Sequence, residues 1–130
     1  MDITWKYTKK VTVDKINKVE SACGISLPAD LRELLVLVNN GRPSKKIFDT
    51  EKSKGHVFKK MLSFNEEDAE NIYTPINVLK RENPSLFPFA SDPAGNFICL
   101  QKGKVVLWLH ESGDIEYVAD SVTSLLGLLY

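Results

Sequence analysis

Apolar residues recur at helical spacing in two stretches near the start of the chain. Ile16, Val19 and Cys23 mark one face of a helix over residues 12–23, which Thr12 can cap and Gly24 can close. Val11, just ahead of the cap, is placed to staple onto Ile16. After the connector Ile25-Ser26-Leu27, Pro28 suits the first position of a second helix, with Asp30 in its favourable first turn. Leu31, Leu34, Leu35 and Val38 form the stripe of that helix. Asn39-Asn40-Gly41 stops it, because Asn and Gly tolerate a left-handed backbone.

The middle of the chain is more polar. Residues 42–55 read as a loop or a weak edge strand, with Ile47-Phe48 the only apolar pair. His56 to Phe64 reads as one strand, and Glu66 to Ile72 as a helical turn or a loop. Thr74-Pro75 is a cap followed by a first-position proline, so a short helix is expected over 75–82, with Pro84 beyond it. From there the pattern changes to strands of five or six residues separated by turns. Leu86 to Ala90 is the first, with Pro88 pointing to an edge or a bulge. Asp92-Pro93-Ala94-Gly95 turns into Asn96 to Gln101. Lys102-Gly103 turns into Val105 to His110, which is nearly continuously apolar, and Ser112-Gly113-Asp114 turns into Ile115 to Val118. Asp120 or Ser121 can cap a last helix with Val122, Leu125, Leu126 and Leu129 as its stripe. The expected fold is α+β: a mostly antiparallel sheet of four to six strands with helices packed on one face.

Length and charge narrow the function classes. The 130 residues suit a single domain over 1–130. The formal net charge is zero, from 17 basic and 17 acidic residues, which argues against a dedicated nucleic-acid binder. The total conceals an asymmetry. Residues 1–60 carry 13 Lys/Arg and 7 Asp/Glu, a net of +6, and residues 61–130 carry 4 and 10, a net of −6. Cys23 and Cys99 lack the spacing of a disulfide framework or a zinc site and read as reduced, core-facing residues. The start of the chain lacks the apolar stretch of a signal peptide, and no run approaches the ~20 apolar residues of a membrane span. The expected compartment is the cytoplasm.

Candidate chemistry is sparse. His56 and His110 are the only histidines. His110-Glu111 with Asp92 could form an acid–base pair or a weak metal site, which keeps a small metal-dependent hydrolase as an alternative. The plainer reading is a histidine hydrogen-bonded at a strand end. No glycine-rich phosphate loop occurs. The lysines of 45–60 are interspersed with acids and read as a solvated face. The carboxylates Glu66, Glu67, Asp68, Glu70, Asp114 and Glu116 lie in or beside turns, where they could complement a basic protein and steer its docking.

Three segments together resemble the SUKH superfamily, whose members include the yeast cell-wall synthesis regulator and many bacterial immunity proteins. The first is Gly24-Ile25-Ser26-Leu27-Pro28 with the helix opening that follows it. The second is Val38-Asn39-Asn40-Gly41. The third runs from Phe87 to Leu100 through Asp92, Gly95 and Asn96, and continues in Val106-Leu107-Trp108-Leu109-His110-Glu111. The resemblance covers about residues 13–129. The helix terminus carries one glycine where many members have two, and Gln101 stands where an acidic residue is often found.

The resemblance implies a domain that works by binding proteins, with no catalytic set, no metal and no cofactor. Gly24, Leu27, Pro28, Asn40, Gly41, Asp92, Gly95, Asn96, His110 and Glu111 are then structural: turn formers and hydrogen-bonding groups at element ends. It also implies a cytoplasmic immunity protein that neutralises a cognate toxin, with a basic nuclease the expected partner and no direct contact with nucleic acid or membrane. A regulatory or scaffold interaction domain is the alternative within the same family. The expected assembly is a monomer or a weak homodimer.

Overall fold

The computed structural model describes residues 2–130. A two-residue strand, β1 (Trp5–Lys6), precedes helix α1 (Val13–Cys23). Thr12 is the N-cap of α1, its hydroxyl accepting the Lys15 N–H at 3.3 Å, and Gly24 closes the helix at φ 66°. The Glu20 carboxylate then accepts the Leu27 N–H at 2.7 Å and an Arg32 N–H at 2.6 Å, which ties the connector to helix α2 (Ala29–Val38). Pro28 lies one residue earlier than expected. It is the N-cap, with the extended ψ of 148° that its own ring permits. Asp30 bonds outward as well as inward: it accepts the Leu31 N–H, and also the N–H and hydroxyl of Thr123.

Strand β2 (Arg42–Pro43) pairs with β1, and β3 (Ile47–Phe48) pairs with β4 (His56–Val57). The expected strand from His56 to Phe64 is therefore two strands. β4 stays with its small hairpin, while β5 (Lys60–Met61) joins the main sheet against Ala90 and Ser91. One stretch of chain serves two sheets, and an apolar run does not reveal such a change of partner. Helix α3 (Tyr73–Glu82) begins two residues before the expected start, because the Asn71 side chain, not Thr74, accepts the first N–H, that of Tyr73. Pro75 then lies within the first turn, where its missing N–H has no intrahelical partner to lose.

The main sheet continues through β6 (Phe87–Ser91), β7 (Phe97–Gln101), β8 (Lys104–Trp108) and β9 (Ile115–Ala119), in the antiparallel order β5-β6-β7-β8-β9. The proline in β6 coincides with a register shift between Pro88 and Ala90. Helix α4 (Val122–Leu128) is capped by Ser121, whose hydroxyl accepts the Ser124 N–H. Of the two candidate caps, Asp120 instead receives the Tyr117 hydroxyl.

Alternation along β7 and β8 explains their nearly continuous apolar character. Ile98, Leu100, Val105 and Leu107 face a core shared with Ile16, Val19, Leu31, Leu35 and Leu125 of α1, α2 and α4. Cys99, Val106 and Trp108 join a second, smaller cluster with Leu79 of α3 and with Leu86. There the rings of Phe97 and Trp108 stack at 5.6 Å. Both faces of these central strands are covered, so neither needs polar residues. Both cysteines are free, and burial pushes the Cys99 thiol pKa well above its ordinary value.

Candidate functional site

The six carboxylates singled out from the sequence lie in three separate places. Glu66, Glu67, Asp68 and Glu70 occupy the turns between β5 and α3. Each meets lysine from the basic half of the chain: Glu66 with Lys18, Glu67 with Lys15 at 3.0 Å, Asp68 with Lys9 at 3.1 Å, and Glu70 with Lys59 at 2.7 Å and Lys60 at 3.3 Å. Each carboxylate of this seam thus has a cation of the same chain beside it. Asp68 is buried. Burial alone would raise its pKa, but hydrogen bonds from Ser63, Lys9 and Asn65 outweigh that effect and hold the carboxyl below its ordinary value.

Glu116 is also buried, on β9. It accepts the Ser53 hydroxyl at 2.7 Å and the Thr50 hydroxyl at 2.6 Å, and these donors lower its pKa. Its work is to hold the loop between β3 and β4 against the main sheet. Asp114 alone of the six is exposed without an ion pair among the described residues, on the turn between β8 and β9. The six residues therefore do not converge on one acidic face.

A second arrangement is a clamp at one end of the sheet. Asp92 is buried, and one of its oxygens accepts the N–H groups of Ala94 at 2.9 Å and Asn96 at 2.8 Å. Its other oxygen accepts the Asn96 side-chain amide at 2.9 Å, and Asn96 in turn accepts the His110 N–H at 3.0 Å. One asparagine thus joins the β6–β7 turn to the end of β8. Gly95 stands at φ 89°, and a Cβ there would lie 3.3 Å from His110 Nε2, so both backbone and space call for glycine. His110 and Glu111 are exposed beside it. Among the described residues, no group of three or more His, Cys, Asp or Glu is placed to hold a metal ion. With both oxygens of Asp92 on turn donors, the constellation weighed for a hydrolase is arranged as a turn clamp. Beside it lies an open cleft of about 320 Å³, lined in part by Leu62, Glu70, Thr74, Ser91, Asn96 and Phe97.

A third arrangement follows α2. Asn39 is fully buried; its amide donates to the Lys9 carbonyl and the Ser63 hydroxyl, and its oxygen accepts the Phe64 N–H. Asn40 takes the left-handed conformation at φ 67°, donates to the Tyr7 carbonyl at 2.8 Å, and accepts from the buried Lys60 ammonium. Burial lowers the Lys60 pKa, Glu70 opposes that shift, and Arg42 adds to it. Gly41 needs glycine for space rather than for a left-handed φ: a Cβ there would meet the Val38 carbonyl at 2.7 Å and Trp5 at 3.0 Å. Of the remaining motif residues, Leu27 is buried and Pro28 half-buried at the opening of α2.

This hub anchors an exposed basic edge; the sequence reading takes in Lys45 and Lys46 as part of a solvated lysine face, but it does not bring Lys6 and Arg42 beside them. Lys6 and Arg42 are direct cross-strand partners in β1–β2, and Lys45 and Lys46 follow. All four are exposed, and none makes an ion pair among the described residues. The signal that would reveal the edge is the pairing of two strands of two residues each, too short to show any periodicity.

Helix α1, helix α2, the clamp and the closing helix come in the order of a known domain. The chain matches the model of the SMI1 / KNR4 family (SUKH-1) over residues 10–127. A comparison with curated protein sequences returns no match. The family match takes in α1 to α3, α4 as far as Gly127, all but the first strand, and the Asp92–Asn96–His110 clamp, and on this evidence the chain belongs to the SMI1 / KNR4 (SUKH-1) family.

Proposed function

We propose that this chain is an immunity protein, which binds a cognate protein toxin and neutralises it by non-covalent contact. The observation that carries the proposal is family membership over residues 10–127, joined to the antidote role that the resemblance implies for bacterial members. The architecture supports it. Turns that project from a sheet covered on both faces are held by side-chain clamps, so little ordering remains to be done when a partner docks. We place the contact surface away from the acidic seam at 66–70. A partner's lysine would there have to displace a lysine already in place, and such exchanges at exposed pairs contribute little. Glu111 and Asp114, exposed on the β8–β9 turn, remain free to take part.

A nuclease is the first candidate activity for the toxin, and the cytoplasm the compartment in which the two would meet. The test is co-expression in bacterial cells with toxin domains of nuclease type, followed by nuclease assays on purified mixtures. Growth restored by this chain, together with a stable complex and loss of nucleic-acid cleavage, is the expected result. Continued killing despite abundant folded protein rejects that pairing. Failure across a broad toxin panel, with capture of a stable partner of another kind, favours the regulatory reading.

A further inference from the structure

We propose that the β1–β2 edge is the docking face, and that it receives an acidic surface of the partner protein. The inference rests on the protein-binding reading above and names the face that carries it. Lys6 and Arg42 stand directly opposite each other across an antiparallel pair. Side chains so placed leave the same face, and like charges there oppose pairing. Lys45 and Lys46 extend the same charge along the chain. Elsewhere in this half of the chain, Lys9, Lys15, Lys18 and Lys59 each find a carboxylate, while Lys10, Lys52 and Lys54 make no ion pair among the described residues. Lys6 and Arg42 differ from those three in facing each other across a strand pair.

Tyr7 gives the edge a centre. Its side chain is 71% exposed, and its backbone is held in the left-handed region at φ 61°. The Arg42 guanidinium lies 5.8 Å from the centre of its ring. The Tyr7 carbonyl, bonded to Asn40, fixes this geometry from below. Tyr7 thus combines a left-handed backbone, uncommon for a non-glycine residue, with an aromatic ring that lies outside the core, and such outliers gather at binding sites. Tyr and Arg are also the residue types most often found at the energetic centre of protein interfaces. The charge selects the occupant. A neutral chain has no long-range field to gather phosphates, and four cations make a small footprint for a polyanion. An acidic protein surface needs only local complementarity. Were the toxin a nuclease, its phosphate-binding cleft would be basic, so this face would dock beside the cleft rather than in it.

The test compares two variants with the same loss of charge: Lys6→Ser/Arg42→Ser, and Lys80→Ser/Arg81→Ser on α3. The probe is fluorescent polyglutamate at low and at physiological salt, against an oligothymidylate of equal length. The expected result is binding that weakens with salt, about tenfold weaker in the Lys6/Arg42 variant and within about twofold of the native chain in the Lys80/Arg81 variant. Removing a like-charge pair should leave the melting temperature unchanged or raised, so lost binding is not lost folding. Equal loss in both variants, no binding at all, or tighter binding of the oligothymidylate overturns the proposal. Rescue separates it from the immunity reading. If the Lys6/Arg42 variant still rescues cells from the cognate toxin, the face falls and the immunity role stands. If no toxin is neutralised but polyglutamate binds at this edge, the immunity role falls and the face stands.

Discussion

Gly41 and Gly127 show how little the identity of a residue says apart from its place. Both are glycines without a left-handed φ, yet a Cβ at Gly41 would press on the Val38 carbonyl at 2.7 Å while one at Gly127 would meet nothing within 4 Å. A backbone carbonyl at the end of α2 cannot move aside. Gly41→Ala should therefore destabilise the protein by about 2 kcal/mol, as overpacking typically does. Gly127→Ala, in the exposed part of α4, should stabilise it by roughly 0.5–1 kcal/mol, because alanine loses less backbone entropy in a helix. Urea unfolding of both variants checks the pair, and shifts of the same sign would refute this account. The sequence marks Asn39-Asn40-Gly41 as a helix stop on the strength of residue type. It does not reveal that Asn39 is a buried hub, because the partners of its amide and oxygen, Lys9, Ser63 and Phe64, are 24 or more residues away.

At the scale of elements, legibility follows length. The helices with a clear stripe and the strands from β6 to β9 are readable because each repeats its pattern over five or more residues. The strands β1 to β5 have two residues each, and pairing rather than pattern defines them. The clamp is a middle case. Asp92-Pro93-Ala94-Gly95 is recognisable as a turn, but the link from Asn96 to the His110 N–H depends on the register of β7 against β8. That link makes a prediction about two elements at once. Asp92→Ala leaves three N–H donors without their acceptor and should cost about 2–3 kcal/mol. Amide exchange should then quicken both at 94–96 and at 109–114, because Asn96 is freed at one end and His110 loses its anchor. Asn96→Ala should quicken exchange at 109–114 as well, while the Asp92 carboxylate still holds Ala94. Exchange confined to 94–96 in the Asp92 variant would show that the two turns are independent.

For the molecule as a whole, the division into a basic and an acidic half becomes a means of assembly. The first half supplies lysines from the segment before α1, from α1 and from the approach to β5, and the second supplies carboxylates from 66–70. The two meet along a seam that closes the fold across 10 to 59 residues of sequence. Most of these pairs are exposed and contribute little. Asp68 is the exception, because it is buried under Lys9, Ser63 and Asn65. Its folded-state pKa lies below its ordinary value. The ionised form is therefore the one that folding favours. Its stabilisation is complete above the unfolded carboxyl pKa of about 3.9 and is lost as the pH falls through the lower folded value. Asp68→Asn should lower stability near neutral pH by about 2 kcal/mol, the scale of hydrogen bonds to a buried charge. The difference between native and variant should then narrow as the pH is taken below about 3.9, because the native Asp68 also becomes neutral. Chemical denaturation at a series of pH values measures this directly. A difference that stays constant into strong acid would mean that Asp68 acts through packing alone, and that the seam between the two halves is not electrostatic.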